Sequence, residues 1–541
     1  MSKKPSPREL ESLHAPVSPP MLKRKARSPT PPLERRSGER RARMEKEDER
    51  NRGPMAAKPR VGVASPFQLT RIDELPESEN VDAVGIRDIL RRGPLKEVWM
   101  FNYLFDLDWV MNQFDPEVKD TVKVRIVHGS WKREDSNRVR IHTQAESYPN
   151  VKLICAFMPE PYGTHHSKMF VLFRTDDHAQ VVIHTANMIP FDWENMTQAA
   201  WQSPLLPLLP QDHGAPSARA PIPVGQQFKT DILAYFSAYG EGRTDFLTAQ
   251  LSRYSFDPVK AVFVGSVPGK FHIDASNGKG YEWGWRRLAS VLRKVPLRSP
   301  NVKGSVVVQV SSIATLGSKN TWLSPVLFAG LKRSKLAGSA EPKFHVMFPT
   351  ADEIRESLNG YRSGSSLHMK FQSPAQQLQL GYMRRHLTHW DPNPPPNNQS
   401  SSSSLVIKDA GRARAAPHIK TYIRFSDTDC THIDWALLTS ANISIQAWGS
   451  AEKDTIGSAN RREVRICSYE AGVLVYPEIL GVEEMVPTFK KDSPDEIGDG
   501  GTAGLRMPYG LPLRKYAPND MPWCASKSYS DVDWLGQKWE A

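Results

Sequence analysis

The sequence predicts an α/β fold made of two similar halves, each with a mixed β-sheet flanked by helices, related by a pseudo-twofold axis. The first observation is a duplicated pair: "GTHHSKMFVLF" contains His166 and Lys168, and "PHIKTYIRF" contains His418 and Lys420. β-Branched and aromatic residues follow each pair, which favours a strand. Residues i and i+2 of a strand point to one face, so each histidine is expected to project beside its lysine.

The second observation is that each pair is followed by another strand-like stretch with a similar ending. "VVIHTAN" ends at Asn187 and "WALLTSAN" ends at Asn442, which lie 21 and 24 residues after the corresponding histidines. A single His-x-Lys is common by chance, whereas two with matching downstream strands indicate an internal repeat. We therefore assign one half to residues 61–270 and the other to residues 271–541.

The third observation is an alternation of apolar strand-like and helix-like stretches through both halves. Strands are predicted at "KEVWMFNYL" (96–104), "VKVRIVHG" (122–129), "VKLICAFM" (151–158) and "GSVVVQV" (304–310), and helices at "DLDWVMNQF" (106–114) and "YEWGWRRLASVLRKV" (281–295). Pro- and Ser-rich stretches at 203–225 and 390–404, and a Gly-rich stretch at 490–504, are predicted to be surface loops.

Residues 1–60 differ from the body in composition. They hold 17 Lys or Arg and 8 Asp or Glu, so they supply +9 of the net charge of +12. Because the segment is rich in Pro, Ser, Arg and Glu, it cannot bury enough apolar surface to offset chain entropy, and we expect a disordered tail. Its clusters "KRKARSP" and "ERRSGERRAR" are typical of nuclear-import or nucleic-acid-binding segments, and they predict a nuclear protein whose tail binds partners.

Composition also argues against several classes of protein. The chain of 541 residues has no run of 18 apolar residues that would indicate a membrane span, and its N-terminus lacks the apolar core of a secretory signal. The four cysteines are scattered without a CxxC pair, which argues against a zinc ribbon or a disulfide framework. We expect a monomer that needs no metal and no cofactor and has no membrane partner.

Two His-Lys-Asn sets suit chemistry at a phosphodiester. Attack on phosphorus needs a nucleophile, polar or cationic groups around the phosphate oxygens, and an acid for the leaving oxygen. A neutral imidazole can attack and a protonated one can donate, and a reference pKa of about 6.5 allows both states near neutrality. Lysines supply positive charge, and asparagine amides donate hydrogen bonds. One set supplies half of such a site, and two facing sets complete it.

These motifs resemble the phospholipase D superfamily, whose usual pattern is H-x-K-x4-D followed by G-S-x-N. Here the aspartate positions hold Phe173 and Phe425, and the Gly-Ser positions hold His184-Thr185 and Thr439-Ser440. Loss of both aspartates with retention of His, Lys and Asn resembles the tyrosyl-DNA phosphodiesterase branch. Further matching stretches include "FNYLFDLDW", "DWENMTQAAW", "GSVPGKF", "SSIATLG", "SYEAGVLVYP" and "MPW", so the resemblance extends from about residue 65 to the C-terminus.

The resemblance implies a role for each matching residue. His166 would be the nucleophile that forms a phosphohistidine with the DNA 3′ end, and His418 would protonate the tyrosine leaving group and then activate water. Glu470 would orient the nucleophile, and Gln198 would orient the acid. The residues implied to hold phosphate or DNA are Lys168, Lys420, Asn187, Asn442, Ser311, Ser312, Tyr162 and Tyr103. His165 and His184 lie off the repeat register, so we predict structural roles for them.

The implied substrate is DNA with a 3′-linked tyrosine or peptide left by topoisomerase I, and the implied partners of the tail are DNA-repair proteins. Three alternatives stay open from the residues alone: a phospholipase D-type phosphodiesterase or nuclease acting on another substrate, an inactive DNA-end-binding module, and a broader enzyme that cleans other 3′-blocked ends. Loss of the motif aspartates argues against the lipid enzyme, and retention of both His-Lys-Asn sets argues against the inactive module.

Overall fold

The computed structural model describes residues 60–210, 222–274, 282–393, 406–454 and 461–541. The predicted disordered tail therefore lies outside the described residues, apart from Arg60. Residues 211–221 and 394–404 of the two predicted Pro- and Ser-rich loops lie outside them as well. In the described part of the chain, no helix combines the length and the apolar character needed to cross a bilayer.

Strands make up the centre of the described structure. They are β1 (Gly62–Val63), β2 (Gln68–Leu69), β3 (Leu95–Phe101), β4 (Lys123–His128), β5 (Val151–Cys155), β6 (Met169–Arg174), β7 (His178–His184), β8 (Ala199–Gln202), β9 (Leu206–Pro207), β10 (Val262–Ser266), β11 (Gly269–Asp274), β12 (Ser305–Gln309), β13 (Ser312–Ile313), β14 (Lys343–Met347), β15 (His368–Met369), β16 (Leu387–Thr388), β17 (Thr421–Phe425), β18 (Ile433–Thr439), β19 (Lys453–Asp454), β20 (Arg461–Ile466), β21 (Glu470–Val475), β22 (Glu484–Thr488) and β23 (Thr502–Arg506).

Two large mixed sheets have matching topology. The first runs β2-β8-β7-β6-β3-β4-β5, with β9 also paired to β7, and the second runs β10-β21-β18-β17-β12-β14-β16. In the first sheet β3, β4 and β5 are mutually parallel and β6 is antiparallel to β3. In the second sheet β12, β14 and β16 are mutually parallel and β17 is antiparallel to β12. The six-strand order β8-β7-β6-β3-β4-β5 thus recurs as β21-β18-β17-β12-β14-β16, which confirms the predicted α/β class with mixed sheets.

Short helices cover the sheets. The α-helices are Ile86–Leu90, Leu107–Met111, Ser136–Ala145, Pro190–Glu194, Val224–Ser237, Asp245–Leu251, Gly284–Leu292, Ala329–Leu331, Ala351–Arg355, Pro374–Met383, Ile445–Trp448 and Pro477–Leu480. Sequence explains several of their ends. Ser373 accepts from the backbone N–H of Gln376, with Pro374 in the first turn, and Thr350 with Glu353 forms a capping box. The predicted helix at 281–295 is found as Gly284–Leu292.

One buried apolar cluster joins the two sheets. It contains Val171 and Ile183 from β6 and β7, and Ile423 and Leu438 from β17 and β18, each at most 1% exposed. Strands covered on both faces are apolar along most of their length, as in the "IDWALLT" of β18, where all seven residues are buried. Each fully buried aliphatic side chain contributes about 1.5–3 kcal/mol. The boundary near residue 270 stays a prediction.

The His-x-Lys pairs do not lie inside strands, so this part of the sequence prediction is wrong. The first strand begins at Met169 and the second at Thr421, one residue after each lysine. The physical reason is that the backbone around each histidine pairs with the other half of the molecule. His165 bridges to Tyr469, and Pro417 bridges to Thr197. Each His-x-Lys pair therefore lies just before its strand, where the backbone of one half contacts the other half.

Candidate active site

The backbone around the two histidines has the same arrangement in both halves. The N–H of His166 donates to the Tyr469 carbonyl at 3.0 Å, and the N–H of His418 donates to the Thr197 carbonyl at 3.1 Å. The residues that follow these two accepting carbonyls are Glu470 and Gln198. Each histidine is therefore placed beside a polar side chain from the opposite half of the repeat.

His166 is held by a carboxylate. Its Nδ1 lies 2.9 Å from Oε2 of Glu470, and the Ser440 hydroxyl donates to the same oxygen at 2.5 Å. Ser440 and Glu470 are buried, whereas the His166 side chain is 17% exposed. A carboxylate accepts but cannot donate, so a neutral His166 carries its proton on Nδ1. The lone pair on Nε2 is then left for the cleft.

His418 is held by an amide in the equivalent position. Its Nδ1 lies 2.8 Å from Nε2 of Gln198, and the Thr185 hydroxyl donates to Oε1 of Gln198 at 2.7 Å. Thr185 and Ser440 occupy the same place in the repeat, two residues before Asn187 and Asn442. Because Thr185 fixes the amide with its NH2 group toward the ring, a neutral His418 accepts at Nδ1 and carries its proton on Nε2.

Asp192 is a buried carboxylate beside His418 that the sequence did not single out. Its Oδ2 lies 3.3 Å from Nδ1 of His418 and 3.3 Å from Nε2 of Gln198, and it accepts the backbone N–H of Asn187 at 2.7 Å. When His418 is protonated, Nδ1–H needs an acceptor, and Asp192 Oδ2 can provide one. Burial raises the pKa of Asp192.

The two lysines are fully buried beside their histidines. Nζ of Lys168 donates to the His166 carbonyl at 3.1 Å, and Nζ of Lys420 donates to the His418 carbonyl. Burial lowers the pKa of Lys168 to about 8, and it lowers the pKa of Lys420 well below its usual value. An ammonium has three N–H donors, so each lysine keeps donors for an anion at the site.

The two asparagines line the same cleft with different partners. Asn442 Oδ1 accepts the backbone N–H groups of Ser311 at 3.1 Å and Ser312 at 2.9 Å. This contact fixes the amide, so that Nδ2 is its remaining donor. In the described part of the chain, Oδ1 of Asn187 is buried without a hydrogen-bond partner. Both serines border the cleft, and their contact with phosphate stays a prediction.

The cleft itself has a volume of about 440 Å³. Tyr103 and Tyr162 stand at its mouth, 43% and 83% exposed, and the Tyr103 ring lies edge-on to His166 at 6.1 Å between centroids. The cleft is lined by Tyr103, Leu104, Tyr162, Thr164, His166, Asn187, Ser311, Ser312, Ala314, Ser365, Ser366, His368, His418, Asn442, Ser444, Gln446, Ala447, Ser468 and Glu470.

Burial is the largest influence on both histidines. It lowers the pKa of His166, with Glu470 acting in the opposite direction. It lowers the pKa of His418 well below its usual value, and the charges of Lys420 and Lys168 lower it further. Both imidazoles therefore favour the neutral form near pH 7 when no anion is bound.

Neighbouring histidines and Trp523 lie outside the cleft. His165 Nδ1 lies 3.0 Å from the Asn102 carbonyl, and its Nε2 lies 3.0 Å from the Tyr239 hydroxyl. His184 is fully buried against Phe170, with 4.5 Å between ring centroids. Trp523 of "MPW" is also fully buried and donates to the Gly364 carbonyl. In the described ranges, no group of three or more His, Cys, Asp or Glu side chains is arranged to hold a metal ion.

The chain is similar to known proteins over most of its length. Residues 66–517 match the family model for tyrosyl-DNA phosphodiesterase. A probable tyrosyl-DNA phosphodiesterase of Schizosaccharomyces pombe is 32% identical, over 88% of this chain and 96% of the relative. Tyrosyl-DNA phosphodiesterase 1 of Drosophila melanogaster is 30% identical, over 87% of this chain and 75% of the relative. The crystal structure of the yeast tyrosyl-DNA phosphodiesterase has the same fold, with a TM-score of 0.59, 21% identity and coverage of 86% of this chain and 100% of that one.

Proposed function

This chain belongs to the tyrosyl-DNA phosphodiesterase family of phosphodiesterase hydrolases that act in DNA repair, and we propose that it removes topoisomerase I remnants from DNA 3′ ends. The bond cleaved would join the topoisomerase tyrosine to the DNA 3′-phosphate. The reaction would pass through a covalent phosphohistidine and leave a 3′-phosphate. DNA carrying a 3′-linked tyrosine or peptide would be the substrate.

The observation that supports these roles is the difference between the two histidine partners. Glu470 accepts from Nδ1 of His166, whereas Gln198 offers its NH2 group to Nδ1 of His418. A carboxylate partner leaves a lone pair on the opposite ring nitrogen, and an amide donor leaves a proton there. His166 is therefore prepared to attack and His418 to donate, although both occupy equivalent places in the repeat.

In the proposed first step, Nε2 of His166 attacks phosphorus and forms an N–P bond. The P–O bond to tyrosine breaks, and the phenolate oxygen takes the proton from Nε2 of His418. Lys168, Lys420, Asn187 and Asn442 would donate to the phosphate oxygens and stabilise the charge that develops on them. Tyr162 and Tyr103, at the mouth of the cleft, would stack on DNA bases.

In the proposed second step, the neutral His418, whose remaining proton is now on Nδ1 toward Asp192, takes a proton from water at Nε2 as the water oxygen attacks phosphorus. The N–P bond breaks, which restores His166 and releases DNA with a 3′-phosphate. His418 regains the proton that it gave to tyrosine, so the cycle closes without a co-reactant other than water.

The charges of the buried groups explain why His418 would be protonated only with substrate present. With Lys168 and Lys420 protonated and Asp192 and Glu470 ionised, the four charges sum to zero, and burial together with the lysine charges disfavours a further positive charge on His418. A phosphodiester adds one negative charge, and its field raises the pKa of the nearby His418. Asp192 Oδ2 can then accept the new Nδ1–H.

Asp192→Asn tests this part of the proposal. The substitution keeps the shape but removes the negative charge next to His418, so the pKa of His418 in the substrate complex should fall. We expect kcat to drop about 10- to 100-fold, with its alkaline limb displaced to lower pH, in steady-state assays across pH. Asp499→Asn, at a carboxylate that is 73% exposed, serves as the control. Identical pH profiles for the two variants would contradict the role given to Asp192.

A panel of substrates tests the proposed function. Turnover would be compared on an oligonucleotide with a 3′-phosphotyrosine, oligonucleotides with other 3′ blocks, and phosphatidylcholine. We expect the phosphotyrosyl DNA to be hydrolysed with the highest kcat/KM and the lipid not at all. Exclusive activity on the lipid, or on DNA without a 3′ adduct, would refute the proposal. Hydrolysis of the other 3′-blocked oligonucleotides would mean that His418 can protonate several leaving groups. The proposal would then extend to an enzyme that cleans other 3′-blocked DNA ends.

Hydrolysis should persist in an excess of chelator. The reason is that two lysines and two asparagines can stabilise the phosphoryl charge that a metal ion stabilises in other phosphodiesterases. Initial rates measured with and without EDTA should agree within about twofold, a margin that reflects ordinary assay scatter and the change in ionic strength. Complete loss of activity that magnesium restores would contradict this expectation.

Nuclear localisation stays a prediction, because the basic clusters that suggest it lie in residues 1–59, outside the described residues.

A further inference from the structure

One edge of the first sheet carries loops beyond the proposed site. The parallel strands β3, β4 and β5 end side by side, since Phe101 pairs with Val127 and His128 pairs with Cys155. The strand that follows His166 begins at this same edge, because Met169 pairs with Phe101. The loops after β4 and β5 therefore lie along the same sheet edge as the candidate site.

These two loops present large aromatic side chains to solvent. Trp131, after β4, is 48% exposed, and Phe157, after β5, is 50% exposed. The loops are neighbours, because the Cys155 thiol lies 3.8 Å from the Ser130 carbonyl oxygen. With Tyr103, which is 43% exposed at the end of β3, they give one accessible ring after each of three adjacent strands.

Cations accompany both rings. Nζ of Lys132 lies 5.5 Å from the centre of the Trp131 ring, and the Arg243 guanidinium carbon lies 5.6 Å from the centre of the Phe157 ring. Arg138 donates to the Trp131 carbonyl at 2.8 Å, which ties the helix that follows to this loop. A cation on one face of a ring leaves the other face open for stacking.

The Trp131 loop carries two cations and two acids. Lys132 and Arg133 are exposed. Asp135 accepts the backbone N–H of Asn137 at the start of the helix Ser136–Ala145, so its carboxylate caps that helix. Glu134 is the other acid of this loop. Exposed rings beside lysine and arginine fit a polyanion with stacking bases, since the backbone meets the cations and each base has a face for a ring.

We propose that Trp131, Phe157, Lys132, Arg133 and Arg243 form a platform that binds single-stranded DNA leading away from the adduct. The proposal rests on the proposed function, because it extends the path of the same substrate. Strands lie about 4.8 Å apart, so β5 is about 14 Å from β6. At about 3.4 Å per nucleotide, the platform contacts DNA about three to four nucleotides from the adduct.

Binding of oligonucleotides of two lengths tests the platform without relying on catalysis. Fluorescence anisotropy would compare 5′-labelled oligothymidylates of 2 and 12 nucleotides with a 3′-phosphate. We expect Trp131→Ala and Phe157→Ala each to weaken binding of the longer DNA about 5- to 100-fold, with the shorter DNA unaffected. Lys132→Gln and Arg133→Gln should each reduce the salt dependence, log Kd against log salt, by about 0.7.

Trp534→Ala is the matched control for Trp131→Ala. Trp534 is 49% exposed, and the Arg414 guanidinium carbon lies 5.2 Å from the centre of its ring. Trp534 donates to the Ser357 carbonyl, and both residues belong to the half assigned to 271–541, whereas Trp131 belongs to the half assigned to 61–270. Thermal melting identifies any variant that fails to fold, and Trp131→Phe, which keeps an aromatic face, should retain most of the affinity.

The outcomes distinguish a failure of the platform proposal from a failure of the proposed function. If phosphotyrosyl DNA is not hydrolysed but Trp131→Ala still weakens only the longer DNA, the platform stands and the function fails. If hydrolysis occurs but folded Trp131→Ala and Phe157→Ala bind both lengths like Trp534→Ala, the platform is refuted. Equal weakening for both lengths refutes it too, because the contact would then lie within the first two nucleotides.

Discussion

We expect His166→Ala to abolish the proposed covalent intermediate and to lower turnover of 3′-phosphotyrosyl DNA by about 10⁴- to 10⁶-fold, which is the scale seen when a catalytic nucleophile is removed. The expected loss is this large because Nε2 of His166 would form the bond to phosphorus. His418 cannot substitute, since the amide of Gln198 leaves its Nε2 protonated in the neutral form. Single-turnover assays with 5′-labelled DNA, resolved on a denaturing gel, measure both the rate and the adduct.

His178→Ala provides the control for this variant. His178 is a partly exposed histidine at the start of β7 whose Nδ1 lies 2.8 Å from the Asp176 carbonyl oxygen, far along the strand from the cleft. It should form the adduct and turn over as the unmodified protein does. Substantial turnover by His166→Ala, or an adduct that survives the substitution, would show that another residue attacks phosphorus.

The central residues of the candidate site could be found from the sequence because they repeat. Two copies of His, Lys and Asn at similar spacing are improbable by chance, and the structure brings all six together. The repeat also predicted the matching topology of the two sheets. Their catalytic roles stay predictions until a variant is measured.

Other residues could not be found from spacing. Glu470 lies 304 residues from His166, and Gln198 lies 220 residues from His418. Those pairs depend on how the halves pack, so only the family resemblance pointed to them. Asp192 lies in the quoted stretch "DWENMTQAAW", but one carboxylate among 59 has no distinguishing pattern.

The placement of the His-Lys pairs shows the same limit. Strand propensity correctly marked the residues after each lysine but extended the strand over the histidine. Propensity reflects a chain within its own sheet, whereas His166 and His418 donate backbone hydrogen bonds to the opposite half. This exchange of partners sets the position of both imidazoles, and a local pattern contains no information about it.

His418→Asn should differ in kind from His166→Ala, because it should stop the proposed cycle after the first bond is made. Tyrosine has a pKa of about 10, so its phenolate is a fairly good leaving group and some attack by His166 should survive without the acid. Hydrolysis of the proposed phosphohistidine would then lack the base that activates water. We expect turnover to fall about 10²- to 10⁴-fold, the usual contribution of general acid–base catalysis, and a DNA–protein adduct to accumulate.

Denaturing gel electrophoresis with 5′-labelled DNA would show the adduct as a labelled band at the size of the protein, and its decay after a chase with unlabelled substrate gives the rate of the second step. His418→Asn combined with His166→Ala should show no such band, which ties the adduct to His166. The roles depend on the contrast between Glu470 and Gln198 as partners of two otherwise equivalent histidines. Trapping of DNA by His166→Ala, with none by His418→Asn, would therefore mean that the carboxylate marks the acid and the amide marks the nucleophile.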